Sequence, residues 1–219
     1  IKKMKQKIGL VVCTHMDTDH ICGLIQLLKE TSSDFVENIW YNGFLQIVNS
    51  QFYSQKHNSF TDRDNKILDE IISQGMISET EQEIGINEGM SLGVLIEERK
   101  IPLNLVVEGQ AICSELVENR HEIAPNIFIT VLGPSQNNIR ELEEHWKKDM
   151  VSRNYMFRVS DKIKLTEAFE YQIERIKSIY TNESFKISEN EELMKYIGEL
   201  AERDESIANK SSISFILEY

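Results

Sequence analysis

The sequence contains few of the residues that mark several common protein classes. Its three cysteines are an odd number among 219 residues and form no CxxC pair, which argues against a disulfide framework and a zinc ribbon. Three prolines and ten glycines exclude long low-complexity linkers. No apolar run reaches the roughly 20 residues of a membrane span, and no signal peptide opens the chain. We therefore expect a globular protein of the reducing cytoplasm without membrane contact.

Basic residues are also in the minority. Lys and Arg total 24 against 36 Asp and Glu, which gives a net charge of -12. A generic surface for binding polyanions is therefore not expected, and a nucleic-acid partner would require metal ions or a local basic patch. The remaining composition, 41% hydrophobic and 27% charged, is that of an ordinary globular protein with one domain, or one domain and an appendage.

The spacing of apolar residues predicts a mixture of strands and helices. Runs rich in β-branched residues predict strands at 8–13, 39–41, 127–132 and 211–218. Apolar positions at helical spacing predict helices at 21–29, 61–73, 91–100, 137–149, 163–180 and 189–205. This order predicts an α/β fold in which helices pack outside a sheet.

The composition changes along the chain. The sequence predicts an α/β body at 1–137 and a charged, glycine-poor helical insertion or cap at 138–209. At 210–219 it predicts a strand that returns to the body. The chain opens without Met, shortly before one predicted strand, and ends within another. We therefore expect an internal piece of a longer protein, or one polypeptide of a split fold.

Four potential metal ligands lie within six residues, directly after the first predicted strand: His15, Asp17, Asp19 and His20. Alternate residues of a strand-to-helix turn can point the same way, so His15 and Asp17 could reach one ion while Asp19 and His20 reach a second. Two close cations of this kind serve hydrolysis. Imidazole with carboxylate suits Zn, Mn or Fe. The alternative is an acidic loop that happens to contain two histidines and caps the next helix through Asp19.

At 14–24, THMDTDHICGL, the sequence resembles the metallo-β-lactamase fold superfamily, whose hallmark is HxHxDH after a core strand, often with Gly in the next helix. Asp17 stands where the second His is usual. This HxDxDH variant is similar to that of the C-terminal domains of ComEC-type DNA-uptake proteins and related hydrolases, some of them encoded in bacterial defence loci. Two further segments are similar to late strands of that domain: 129–134, ending in Gly-Pro, and 209–217, with its Asn-x-Ser-Ser pattern.

The resemblance implies an αββα-type metallo-β-lactamase fold, here partial, with a helical insertion. It implies a metal-dependent hydrolase, best described as a phosphodiesterase or nuclease, that takes one or two Zn or Mn ions and a phosphodiester substrate in nucleic acid or a nucleotide. His15, Asp17, Asp19 and His20 would be the metal ligands, and Asp19 and His20 would also act in catalysis by helping to place the nucleophile.

The sequence also departs from the family. Further strands normally come before the strand that carries the motif, and a Gly-Asp segment whose Asp bridges the metals normally follows later, but this sequence contains neither. The other histidines, His57, His121 and His145, are interpreted as surface or packing residues. The remaining metal ligands are therefore expected outside this chain. The alternative function is a catalytically incomplete subunit that serves as an interaction platform, for example in a bacterial defence system, and docks a protein partner through 138–209.

Other candidate residues carry less information. The segment Trp40-Tyr41-Asn42-Gly43 could line a pocket beside the metals, although an aromatic pair at a strand end is usually core. Ser135, Asn137 and Asn138 could contact a phosphate, but turn chemistry explains them equally well. The sequence has no Walker loop, GxGxxG, zinc-finger spacing or Ser nucleophile elbow.

Overall fold

A computed structural model describes residues 6–16, 18–48, 62–80, 91–155, 162–183 and 210–219, without the side chains of 18–20, 62, 75–80 and 173–183. The strands are β1 (Val11–Val12), β2 (Ile39–Trp40), β3 (His121–Ala124), β4 (Ile127–Gly133) and β5 (Ser214–Glu218). The helices are α1 (Thr18–Glu30), α2 (Phe44–Ile47), α3 (Asp62–Thr80), α4 (Leu92–Arg99), α5 (Gln136–Ser152) and α6 (Lys162–Glu183), with a 3-10 helix at Leu105–Val107. The protein is a mixed α/β structure, as the sequence predicts.

The first predicted strand forms one side of a small parallel sheet. Val11 pairs with Ile39 and Val12 with Trp40, and α1 connects the two strands. The parallel hydrogen bonds continue on both sides of the two paired residues, from Ile8 to Cys13. A bridge between Ile39 and Leu103 adds a third parallel segment. The strand predicted at 8–13 is confirmed only in part, because the regular strand covers Val11–Val12, with an isolated bridge at Ile8.

The second sheet is antiparallel and has the order β3-β4-β5. Here the prediction of a strand over 211–218 is wrong at its start, because β5 begins at Ser214. The N–H of Ile213 donates instead to the carbonyl of Thr14 at 2.7 Å, so the backbone at Ile213 is bonded to the loop after β1, while its side chain packs with Ile129 and Val131 of β4. This long-range contact joins the two sheets.

Five of the predicted helices are confirmed as α1, α3, α4, α5 and α6. The helix α4 ends in a left-handed Lys100 shortly before Pro102, as expected for a chain that cannot continue helically. The helix predicted at 189–205 lies outside the described residues. In the described part of the chain, no helix combines the length and the apolar character that crossing a membrane requires.

One large apolar cluster holds the helices together. The apolar stripe of α1, at Ile21, Ile25 and Leu28, is buried in it. Helices α5 and α6 contribute to the same cluster, with buried side chains that include Trp146 and Phe169. Helices α5 and α6 therefore share one apolar core with α1 and α2.

Three aromatic rings lie within this cluster. Phe44, Trp146 and Phe169 contact one another edge to face, with ring centroids 5.3 to 5.6 Å apart. Each ring is at most 1% exposed. The three rings come from α2, α5 and α6, so their contacts fix the positions of these helices relative to one another.

A second, smaller cluster lies beneath the antiparallel sheet. Its buried members are Trp40, Val107, Ile112, Val117, Ile129, Val131 and Ile213. Ile129 and Val131 alternate along β4 with more exposed residues, which is the period of a half-buried strand. Trp40, in β2, belongs to this cluster, whereas its neighbour Tyr41 packs in the large one.

Candidate functional site

The candidate site lies where the parallel strands end. Thr14 and His15 follow β1, and Tyr41 and Asn42 follow β2. Because β1 and β2 are parallel, their carboxyl ends meet at the same edge of the sheet. This edge is where open α/β sheets place their ligands.

A small pocket opens at this edge. Its lining consists of Cys13, Thr14, His15, Met16, Tyr41, Asn42 and Ser211. The lining brings together the start of the HxDxDH motif and the Asn-x-Ser-Ser segment, which are almost 200 residues apart in the chain. The open space at its centre is about that of one water molecule.

Two local contacts orient His15. Its Nδ1 lies 2.9 Å from the hydroxyl of Thr14, and its carbonyl accepts a hydrogen bond from the Cys13 thiol at 3.2 Å. A hydrogen bond at one ring nitrogen fixes the orientation of an imidazole, and metal-binding histidines characteristically have such a bond. The donor chemistry and the placement of His15 therefore fit a metal ligand.

The other predicted ligands cannot be placed in the same way. Asp17 and the side chains of Asp19 and His20 lie outside the described residues, so the convergence of the four side chains stays a prediction. The backbone of Thr18 to His20 forms the first turn of α1. Among the side chains that the structure describes, no group of three or more His, Cys, Asp and Glu is arranged to hold a metal ion.

The remaining sequence candidates lie elsewhere. His121 is on β3, opposite Ile129, and His145 is on α5, both partly exposed, while His57 lies outside the described residues. Ser135 and Asn138 form a capping box at the start of α5, with the Ser135 hydroxyl accepting from the Asn138 N–H at 3.2 Å. Turn and cap chemistry thus accounts for these two polar residues.

The hydrogen bonds of two buried asparagines at the strand ends were not predicted from the sequence. The Asn42 side chain donates to the Ile112 carbonyl and accepts from the Ile112 N–H, both at 2.8 Å. The Asn104 side chain likewise accepts from the N–H of Tyr41 and donates to its carbonyl, both at 2.9 Å. These amides replace strand pairing where the sheet ends and so fix the backbone beside the pocket.

A buried carboxylate lies behind the pocket. Glu170 is 3% exposed, and its oxygens accept hydrogen bonds from the Tyr41 hydroxyl at 2.6 Å and from the N–H groups of Leu92 and Gly93 at 2.9 and 2.8 Å. Sequence reasoning missed it. The only available signal was a Glu directly after Phe169, at the border of the apolar stripe of α6.

Burial raises the pKa of Glu170 to about 7, and the hydrogen bonds from Tyr41 and from the start of α4 oppose that rise. The pKa of Tyr41 is raised well above its ordinary value, first by burial and then by the neighbouring Glu170 carboxylate. Both shifts have burial as their largest cause, as expected for polar groups placed within the large apolar cluster.

The raised pKa of Glu170 predicts a pH-dependent stability. Between the ordinary Glu value of 4.5 and about 7, the folded chain binds more protons than the unfolded chain. The free energy of unfolding should therefore fall as pH rises through this window, with a contribution from Glu170 on the order of 3 kcal/mol. Glu170→Gln should remove this contribution. Denaturant titrations at several pH values, with exposed Glu97→Gln as the control, would measure it. An unchanged pH profile in Glu170→Gln would contradict the prediction.

Comparison with protein-family models, with curated proteins and with solved structures finds no match to this chain in any of the three. The resemblance at 14–24 therefore remains a prediction from the residues themselves, and the function is proposed from that motif and from the geometry around His15.

Proposed function

We propose that the protein is a metal-dependent hydrolase with a partial metallo-β-lactamase fold, and that it cleaves phosphodiesters in nucleic acid or nucleotides. The observation that carries the proposal is the position of His15, at the carboxyl end of a parallel strand and in a pocket shared with Asn42 and Ser211. A strand-to-helix turn at this edge is where the proposed fold and the general rule for α/β sheets both place the site.

The donor set favours divalent metal ions. His15, Asp17, Asp19 and His20 would hold one or two ions, with Zn or Mn as the expected metals. Bound there, such ions would supply Lewis-acid activation of water and neutralise the charge of a phosphate. This role also fits the net charge of -12, because an acidic protein needs a local cation to bind an anionic substrate.

The residues of the chain itself have separate tasks in this proposal. The Thr14 hydroxyl beside Nδ1 holds the His15 imidazole in one orientation. Asp19 and His20 would place the attacking water. The amide of Asn42 holds the adjacent strand end through Ile112, so the wall of the pocket keeps its shape.

An assay of hydrolysis tests the proposal. The purified protein would be incubated with bis(p-nitrophenyl) phosphate, single-stranded DNA or RNA, each with added Mn or Zn and with EDTA as the metal-free condition. We expect metal-dependent cleavage of at least one substrate. The absence of cleavage from all three with either metal would refute the proposed activity of this chain.

A further inference from the structure

Tyr41 forms one wall of the pocket at His15, and helix α6 holds its ring from the other side. The Tyr41 hydroxyl donates to Oε1 of Glu170, which also accepts from the Gly93 N–H, while Oε2 accepts from the Leu92 N–H. One carboxylate thus joins the carboxyl end of β2, the start of α4 and the middle of α6. The two partners in this tyrosine-carboxylate contact are 129 positions apart in the chain.

Two glycines make room for the contact. A Cβ at Gly93 would lie 2.8 Å from Oε1 of Glu170 and 2.8 Å from the Cγ2 of Thr166. A Cβ at Gly43 would collide with the ring of Tyr41. Any larger residue at Gly93 would displace the Glu170 carboxylate, and any larger residue at Gly43 would displace the Tyr41 ring. The contact between Tyr41 and Glu170 therefore requires glycine at both positions.

The backbone and the side chain of Tyr41 are held by different residues. Asn104 binds the N–H and the carbonyl of Tyr41, and the strand pairing of β2 ends just before it. The hydroxyl donates to the carboxylate of Glu170 at 2.6 Å. Asn104 therefore fixes the position of the Tyr41 backbone, and Glu170 fixes the orientation of the Tyr41 ring at the pocket.

We propose that Glu170 is a positioning residue for the pocket, acting through the Tyr41 ring so that the surroundings of His15 depend on the docking of α6. The effect on His15 does not require a metal. An effect on metal affinity rests on the proposed function and is therefore tested separately.

The first test follows the His15 imidazole by NMR in the full chain. Tyr41→Phe and Glu170→Gln should each shift the His15 ring resonances, and the double variant should give no further shift, because the two side chains act as a unit. Tyr155→Phe is the matched control. Tyr155 is 2% exposed and does not line the pocket. Removal of its buried hydroxyl should therefore leave the His15 ring resonances unchanged.

Tyr41→Phe decides the outcome if Glu170→Gln does not fold, since it removes one oxygen and keeps the ring. Unchanged His15 resonances in Tyr41→Phe would overturn the proposal, as would an equal shift in Tyr155→Phe.

The second test measures Mn affinity by calorimetry. Tyr41→Phe should weaken binding by about tenfold, the lower end of the effect of residues that support metal ligands, and Tyr155→Phe should not. Unchanged affinity in Tyr41→Phe would overturn the link to the metal site. If the wild type binds no Mn, the proposed metal site fails, while the NMR result still decides the positioning role of Glu170.

Discussion

Asp19→Ala should lower the turnover of a phosphodiester substrate by at least about 100-fold while the fold is retained. Substitution of residues that merely support metal ligands commonly costs 10- to 100-fold, so the loss of a proposed ligand should cost at least the upper end. Asp19 is also expected to help place the attacking water, which adds to the loss. The measurement is the rate of hydrolysis of the most active substrate at saturating Mn, with circular dichroism to verify folding.

His121→Ala is the control for this experiment. His121 lies on β3 and pairs across the sheet with Ile129, away from the residues that line the pocket. Its replacement should change turnover little. Equal activity of wild type and Asp19→Ala would contradict the hydrolytic role and would favour the alternative of an interaction platform.

Phe169→Ala should lower the free energy of unfolding by about 3 to 5 kcal/mol. The ring is fully buried between Phe44 and Trp146, with centroids 5.5 and 5.6 Å away, so its removal leaves a cavity and ends both edge-to-face contacts. The loss would also loosen α6 from α2 and α5. Chemical denaturation followed by circular dichroism gives the free energy directly.

Val151→Ala is the matched control, because Val151 lies on α5 but is 59% exposed. It should change the free energy of unfolding by no more than about 0.5 kcal/mol, as is usual for surface substitutions. A loss below about 1 kcal/mol in Phe169→Ala would show that α6 is not held by this aromatic cluster in solution.

Local patterns were sufficient to predict most of the described elements. The apolar stripe of α1 and the alternation along β4 each depend on residues close in sequence, and both elements formed as predicted. The predicted start of β5 was wrong because the N–H of Ile213 donates to the carbonyl of Thr14, about 200 residues away in the chain. No local sequence pattern reveals such a partner.

The site was predictable only in part. The clustering of His15 with three further potential ligands within six residues is a local signal, and the structure places His15 at the expected strand end. Glu170, Asn42 and Asn104 gain their roles from partners that are distant in the chain. As isolated residues they resemble ordinary polar positions, so their burial could not be inferred without the fold.

Elemental analysis of the purified protein tests the central claim most directly. We expect one or two equivalents of Zn or Mn per chain after incubation with the metal and gel filtration. The Asp17→Ala and Asp19→Ala variants should retain markedly less, whereas His121→Ala should retain as much as the wild type. Failure of the wild type to retain either metal, or equal retention by all four proteins, would contradict a metal site at His15 to His20.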